Sequence, residues 1–317
     1  MKIVIVGPGA IGSLLAAHLL KLNTSSKQEE KNSIWLLDYK EERAEKIANL
    51  GLNIEGISGN WQVKPNISAD VNEIGPADIF IICVKSYDTK KAAESIRPIV
   101  KDSSAILTLQ NGMGNVEIIA ETAGLDKVIA GTTNLAATLL DSGKVRFTGK
   151  GETTIGRTDS KMTVQMRSIR NLFNSAGLET KISRDIKGLI WSKLIINSAI
   201  NPLTAILHLN NGSLTELEAT RRIMREAVTE SVRIAKRKRI KLSFDDPLAK
   251  VEAVAEATSA NISSMLADVL RKKRTEIDSI NGVIVRQGKE LNIPVPVNQM
   301  LLDLVKAIES SYSKSLY

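Results

Sequence analysis

Cysteine occurs once in this chain, at Cys83, and histidine only twice, at His18 and His208. A single cysteine excludes an internal disulfide framework and a cysteine-built metal cluster. Two histidines leave little for a histidine-built one, so no metal site is expected. Aromatic residues make up only 3% of the 317 residues, against a net charge of +8. Two basic runs, Lys236 to Arg239 with Lys241 and Arg271 to Arg274, invite a nucleic-acid reading. No aromatic residue interleaves with either, so the stacking platform of a single-strand binder is missing. Solvated helix faces, or attraction of an anionic substrate and cofactor, account for the charge without a nucleic-acid partner. No charged-then-apolar leader precedes the first strand, and no uninterrupted apolar run approaches the roughly 20 residues of a membrane span. A cytoplasmic protein without a membrane partner is expected.

The chain opens on an apolar run, Lys2 to Val6, which leads directly into Gly7, Pro8, Gly9, Ala10, Ile11 and Gly12 and then into a helix-periodic stretch to Leu22. A dinucleotide's pyrophosphate needs a tight turn at the first glycine, bare backbone at the second and close helix packing at the third, with the helix N-terminus facing the anion. Strand, turn and helix stand here in that order, which raises a weak glycine pattern to a dinucleotide-site expectation. Asn23 to Ser33 is polar and reads as a surface insertion. The strand Ile34 to Leu37 follows and ends at Asp38, where a dinucleotide site places a carboxylate against the adenosine ribose. That carboxylate repels a 2′-phosphate and argues for NADH. Lys40 and Arg43 lie close enough to neutralise one, so NADPH is not excluded, and an aspartate that merely ends a strand is the plain alternative.

Further buried strands are expected at Ile79 to Val84 and Ala105 to Leu109, then shorter strands with glycine turns over 131–157 and a helix near Met162 to Ala176. The expected fold is α/β: an N-terminal Rossmann-type, doubly wound parallel sheet over 1–183, followed by an all-helical C-terminal domain over 184–317. Long apolar helices in the second domain make a homodimer the expected assembly.

Within that domain Lys193, Asn197 and Asn201 are spaced four apart amid apolar neighbours, which stacks them on one helical face. Such a stripe lines a cleft, or it is solvated, or its carboxamides cap nearby backbone. Pro202 should end or kink the helix at Asn201. A third cluster runs from Asn261 through Ser264 to Asp268 and on to Glu276 and Asp278. Ser264 and Asp268 share a face, whereas Glu276 would be rotated about a third of a turn away on one straight helix, so these groups serve different parts of a ligand or the helix bends, with a charged helix face as the plain alternative. Cys83 reads as a small buried residue, with a place beside the cofactor as the alternative.

The glycine turn, Val84-Lys85, Leu109 to Gly114, Gly131 to Thr133, Trp191 to Lys193 with Asn197 and Asn201 to Ala205, and Asn261 to Met265 with Thr275 to Asp278 together resemble the ketopantoate reductase family. The likeness spans nearly the whole chain in order. It implies reduction of 2-dehydropantoate to (R)-pantoate with NADPH or NADH, on the way to pantothenate and coenzyme A; the alternatives are another two-domain 2-hydroxyacid dehydrogenase and a non-catalytic dinucleotide-binding regulator. By the same resemblance Lys193 donates a proton or hydrogen bond to the ketone oxygen. Glu276 contacts the cofactor and substrate region and helps position that chemistry. Lys85 and Asn111 line the nicotinamide and ribose, and Ala137 makes a backbone contact to the cofactor. Asn197, Asn201, Asn211, Asn261 and Ser264 bind the small-molecule substrate. Asp38 is the departure, because members that use NADPH carry an arginine near this position.

Overall fold

A computed structural model of the chain describes residues 1–25 and 32–314. Most of the polar run read as a surface insertion lies outside the described residues. Among these residues twelve strands run in chain order as β1 (Lys2–Val6), β2 (Ser33–Leu37), β3 (Leu52–Gly56), β4 (Trp61–Val63), β5 (Asn66–Ser68), β6 (Ala77–Ile82), β7 (Val100–Thr108), β8 (Val128–Thr133), β9 (Ala136–Asp141), β10 (Lys144–Gly149), β11 (Thr153–Gly156) and β12 (Thr180–Ile182). Among them are interspersed α1 (Ala10–Ser25), α2 (Glu41–Leu50), α3 (Val71–Ile74), α4 (Thr89–Ile96), α5 (Asn115–Ala123) and α6 (Val164–Ser175).

Eight of the strands form one sheet in the order β5-β2-β1-β6-β7-β8-β11-β12. Counted along the chain, the first six follow the 3-2-1-4-5-6 order of a doubly wound dinucleotide fold, all parallel. β11 then pairs antiparallel with β8. The direction of winding reverses between β1 and β6, and crevices outside the carboxyl ends of strands at such a reversal hold ligands. The glycine turn follows β1 and Val84-Lys85 follows β6, so the topology sets both at that crevice.

Apart from Lys2 and Asp78 near their starts, β1 and β6 are apolar because helices cover both faces of a parallel sheet, and Ile3, Ile5, Phe80 and Ile81 are fully buried. Sequence reading does not anticipate a second sheet, β4-β3-β10-β9, in which β3 runs parallel to β10. α1 packs against both sheets. That double contact explains why Leu14, Leu15, Ala16, Ala17 and Leu19 are all buried on one short helix.

The chain divides into two compact units: residues 1–110 with 115–186, and residues 111–114 with 187 onward. The second unit contains helices and no strand among its described residues: α7 (Ile186–Leu207), α8 (Ser213–Glu216), α9 (Glu218–Arg237), α10 (Pro247–Ala257), α11 (Ser264–Leu270), α12 (Asn281–Leu291) and α13 (Pro296–Ser311). Its core joins Trp191, Leu194, Ile195 and Leu203 of α7 to Met224 and Val228 of α9 and Ile284 of α12. α7 is long and apolar enough to cross a membrane by those measures alone, but two thirds of its most apolar window is buried, as in a core helix.

Two details bear on the sequence reading. Of the end or kink expected at Pro202 the end does not occur, because α7 continues through Pro202 to Leu207. Proline removes the donor to the carbonyl four residues back, here that of Ser198, and the Asn281 side chain donates to that carbonyl at 2.9 Å instead. α11 stops at Leu270, and Lys272 adopts a left-handed φ of 50°. Glu276 therefore stands outside α11, at the start of a short 3-10 turn, Ile277–Ser279. The two basic runs are exposed, the first at the end of α9 and the second in the turns after α11.

Candidate active site

The nucleotide end is built by close approaches that only glycine allows. Gly7 has φ +94°, donates its N–H to the Leu37 carbonyl at 2.9 Å, and would drive a Cβ to 2.6 Å from the Val84 side chain. A Cβ at Gly12 would fall on the Gly7 carbonyl oxygen. Gly9 differs: nothing lies within 4 Å of where its Cβ would stand. The turn thus leaves open space over bare backbone at the N-terminus of α1, as an approaching pyrophosphate requires. Together with the sheet order, this cradle fits a dinucleotide.

A cleft of about 220 Å³ opens beside this turn, lined by Gly7, Leu37, Asp38, Tyr39, Val84 and Lys91 among others. Asp38 is fully buried and engaged. Arg43 grips it with a guanidinium fork, Nε to Oδ2 and Nη2 to Oδ1 at 2.6 Å, while the Lys40 N–H donates to Oδ1 at 3.1 Å. Tyr39 and the cations Lys40, Arg43 and Lys91 gather here, and the carboxylates of Asp70 and Asp88 also line the cleft. Tyr39 is 51% exposed, with Lys91 Nζ at 4.8 Å, Arg43 at 5.6 Å and Lys40 Nζ at 5.9 Å from its ring centre. The sequence offers Asp38 as an open carboxylate and gives no signal for Tyr39 and Lys91, which meet only because the chain folds the start of α4 against the residue two beyond β2.

Lys85 precedes a 3-10 turn after β6. The turn is pinned by Gln110, which donates to the Val84 carbonyl at 2.9 Å and to Thr89 Oγ1 at 2.8 Å. Burial pushes the Cys83 thiol up to about 12, so it carries no thiolate at neutral pH and packs beside Gly12 as a small apolar group. Ala137 stands within β9, paired with Phe147 of β10 in the second sheet; the cleft beside Gly7 does not include it.

In the helical unit, α7 carries Lys193, Asn197 and Asn201 as one continuous helix. Lys193 and Asn197 are half-buried and Asn201 is buried. Burial lowers the Lys193 ammonium to about 8, while the Glu276 carboxylate acts on it in the opposite direction. Glu276 is itself buried, and its carbonyl caps the turn that follows by accepting from the Ser279 and Ile280 N–H groups at 3.1 and 3.2 Å. Ser279 in turn accepts the Met113 N–H at 2.9 Å, which ties the Asn111 to Gly114 segment to the turn that begins at Glu276.

Toward its far end α7 is joined to α11. Thr204 Oγ1 donates to Ser263 Oγ at 2.7 Å, and Ser263 caps α11 by accepting the Leu266 N–H at 3.0 Å. Ser264, the first residue of that helix, is exposed. Asn211 and Asn261 meet through backbone, the Asn211 N–H donating to the Asn261 carbonyl at 3.0 Å. Asn211 Nδ2 donates to Thr258 Oγ1 at 2.9 Å, but its buried Oδ1 has no partner among the described residues. No group of histidine, cysteine and carboxylate residues able to hold a metal ion occurs among the described residues. Sequence reading missed the buried polar chain behind α7, formed by Asn281, Asn298 and Glu230. Its only signal was polar residues at otherwise apolar helix positions.

Comparison with known proteins gives full-length likenesses. The family model described as ketopantoate reductase PanE/ApbA matches residues 3–160, and its C-terminal counterpart matches residues 185–309. The 2-dehydropantoate 2-reductase of Pyrococcus horikoshii is 38% identical over 310 residues, 98% of each chain. The crystal structure of a PanE/ApbA family ketopantoate reductase from Ralstonia eutropha JMP134 is similar with a TM-score of 0.89 at 33% identity, covering 98% of this chain and 99% of that one. A ternary structure of D-mandelate dehydrogenase with NADH and anilino(oxo)acetate reaches the same TM-score and coverage at 26% identity.

Proposed function

The chain belongs to the ketopantoate reductase family, and from that premise we propose that it reduces the ketone of 2-dehydropantoate to the alcohol of (R)-pantoate with a nicotinamide dinucleotide. The observation that carries this reading is Lys193: an ammonium lowered to about 8 by burial, in the field of Glu276, on the same helix as Asn197 and Asn201. Reducing a ketone builds negative charge on its oxygen, and a cation aimed there stabilises the transition state more than the ground state. Lowering the lysine from its ordinary value also makes it a better proton donor near neutral pH. When bound, the reduced nicotinamide supplies the hydride. Lys193 gives its proton to the carbonyl oxygen, so that the carbon gains a hydride and the oxygen a proton. Glu276 keeps the ammonium charged and oriented.

Asn197, Asn201, Asn211, Asn261 and Ser264 are assigned to the substrate's carboxylate and hydroxyl. The unpartnered Asn211 Oδ1 supports this, since a buried acceptor without a donor is costly and a substrate hydroxyl relieves it. Lys85 and Asn111 are assigned to the nicotinamide and ribose, and Gly7 to Gly12 to the pyrophosphate.

For the nucleotide, the Asp38–Arg43 pair is the deciding feature. Its carboxylate is buried and already matched by a guanidinium, so repulsion of a 2′-phosphate is offset and Arg43, Lys40 and Lys91 can attract one. Use of both NADH and NADPH is expected, within about tenfold of each other, or roughly 1.4 kcal/mol.

A second reading is supported by the D-mandelate dehydrogenase likeness: reduction of an aryl 2-oxo acid. A steady-state assay with 2-dehydropantoate and phenylglyoxylate, each with NADH and NADPH, separates the two. The proposal expects 2-dehydropantoate to give the higher kcat/KM with either nucleotide. A preference for the aryl acid transfers the assignment to the second reading.

A further inference from the structure

Pro202 lies inside α7, one residue after Asn201 and nine after Lys193. It deprives the Ser198 carbonyl of its helical donor, its ring crowds the preceding turn, and helical backbone is disfavoured at Asn201, the residue before it. The repair comes from Asn281, 83 residues away at the start of α12: its Nδ2 donates to the Ser198 carbonyl at 2.9 Å.

Both amide orientations in this chain of contacts follow from groups that can only accept. Glu230 accepts the Val297 N–H at 2.8 Å, the Asn298 N–H at 2.9 Å and Asn298 Nδ2 at 2.8 Å. Asn298 Nδ2 also donates to the Ala227 carbonyl at 3.1 Å. With its amino group so committed, Asn298 turns Oδ1 toward Asn281, whose Nδ2 donates to it at 3.0 Å. Asn281 Nδ2 therefore has its two protons on Asn298 and on Ser198, and both asparagines are fully buried. The chain thus runs from the N-terminus of α13 to the one turn of α7 that proline would otherwise open, and that turn lies between Asn197 and Asn201.

We propose that Asn281 is a positioning residue for the substrate side of the site, replacing the missing donor of Pro202 and so fixing where Asn197 and Asn201 stand relative to Lys193. The proposal rests on the reading of α7 as the substrate helix. The proline makes the helix dependent on a side chain from elsewhere, and the Glu230–Asn298 pair holds that side chain in one orientation.

The test is a double-mutant cycle of Asn281→Leu and Pro202→Ala in the full-length protein, because Pro202→Ala restores a backbone N–H for the Ser198 carbonyl. Asn281→Leu should raise KM for 2-dehydropantoate by about tenfold or more, lower kcat by less, and leave the nucleotide dissociation constant within about twofold. In the Pro202→Ala background the same substitution should raise KM by less than about threefold, because the loss at Asn298 is common to both backgrounds and only the Ser198 contact differs. An equal rise of KM in both backgrounds overturns the proposal, as does an Asn281→Leu enzyme with unchanged KM. If Asn281→Leu alone fails to fold, recovery of folding in the double variant supports the donor replacement, and failure of the double variant as well contradicts it. Thermal midpoints of the four proteins report the coupling without substrate. A wild type inactive on 2-dehydropantoate, but with coupled midpoints, thus refutes the substrate reading and not the link between Asn281 and Pro202.

Discussion

At the scale of single residues, the chemistry depends on how far burial moves Lys193. Its value of about 8 lies below that of a free lysine, which has two consequences of definite sign. Reduction needs the ammonium, so kcat/KM for the oxo acid should be level below pH 8 and fall as pH rises through it. Stability goes the other way. The cost of burying the charge is fully present below about pH 8 and is relieved as pH climbs toward the ordinary lysine value, so a stability advantage of Lys193→Met over wild type should shrink across that window in thermal melts. Lys193→Ala should lower turnover by about 10²–10⁴-fold, the usual contribution of a positioned proton donor, while nucleotide binding followed by fluorescence stays near wild type. Arg43 makes a separate prediction. Arg43→Ala leaves Asp38 buried without its partner, so KM for NADPH should rise by at least about tenfold and KM for NADH much less. Equal losses for both nucleotides would show that Arg43 has no part in discrimination. The polar stripe at 193, 197 and 201 was legible from spacing of four alone. The engagement of Asp38 was not, because an aspartate after a strand and an arginine five residues on do not announce that one will close over the other.

Among the elements, the glycine turn separates space needed by the fold from space needed by a ligand. Gly12→Ala pushes a Cβ onto the Gly7 carbonyl and should cost about 1–3 kcal/mol in denaturant unfolding, with nucleotide binding lost as well. Gly9→Ala meets nothing in the protein. It should leave unfolding within about 0.5 kcal/mol of wild type while weakening nucleotide binding by about tenfold or more. A Gly9→Ala protein that binds nucleotide as tightly as wild type would remove the pyrophosphate from this turn. The order of strand, turn and helix made this element readable, since each part is local. α7 shows the limit of local reading. Its apolar periodicity and its polar stripe are in the sequence, but its passage through Pro202 depends on Asn281, and no window of neighbouring residues contains both.

For the whole molecule, the alternation of buried strands and helices foretold the doubly wound sheet, and the loss of strand-like runs after residue 183 foretold a helical second part. The second sheet was not foretold. β3 and β4 are short and only partly buried, and β3 gains its stability by lying parallel to β10, about ninety residues later in the chain. Pairings of that range leave no periodic trace. The strong positive charge, which first suggested nucleic acid, resolves into exposed runs at the end of α9 and after α11, alongside a smaller set of cations at the nucleotide cleft, where Lys40, Arg43 and Lys91 surround Tyr39. Sheet order and family membership together describe a dinucleotide-dependent reductase, but the reaction rests on Lys193. The most direct test is the pH profile of kcat/KM for reduction of 2-dehydropantoate by wild type and Lys193→Ala under saturating nucleotide. The expected result is a wild-type profile that falls above about pH 8 and a variant that is slow and shows no break there; a break that survives in the variant, or undiminished turnover, would contradict Lys193 as the proton donor.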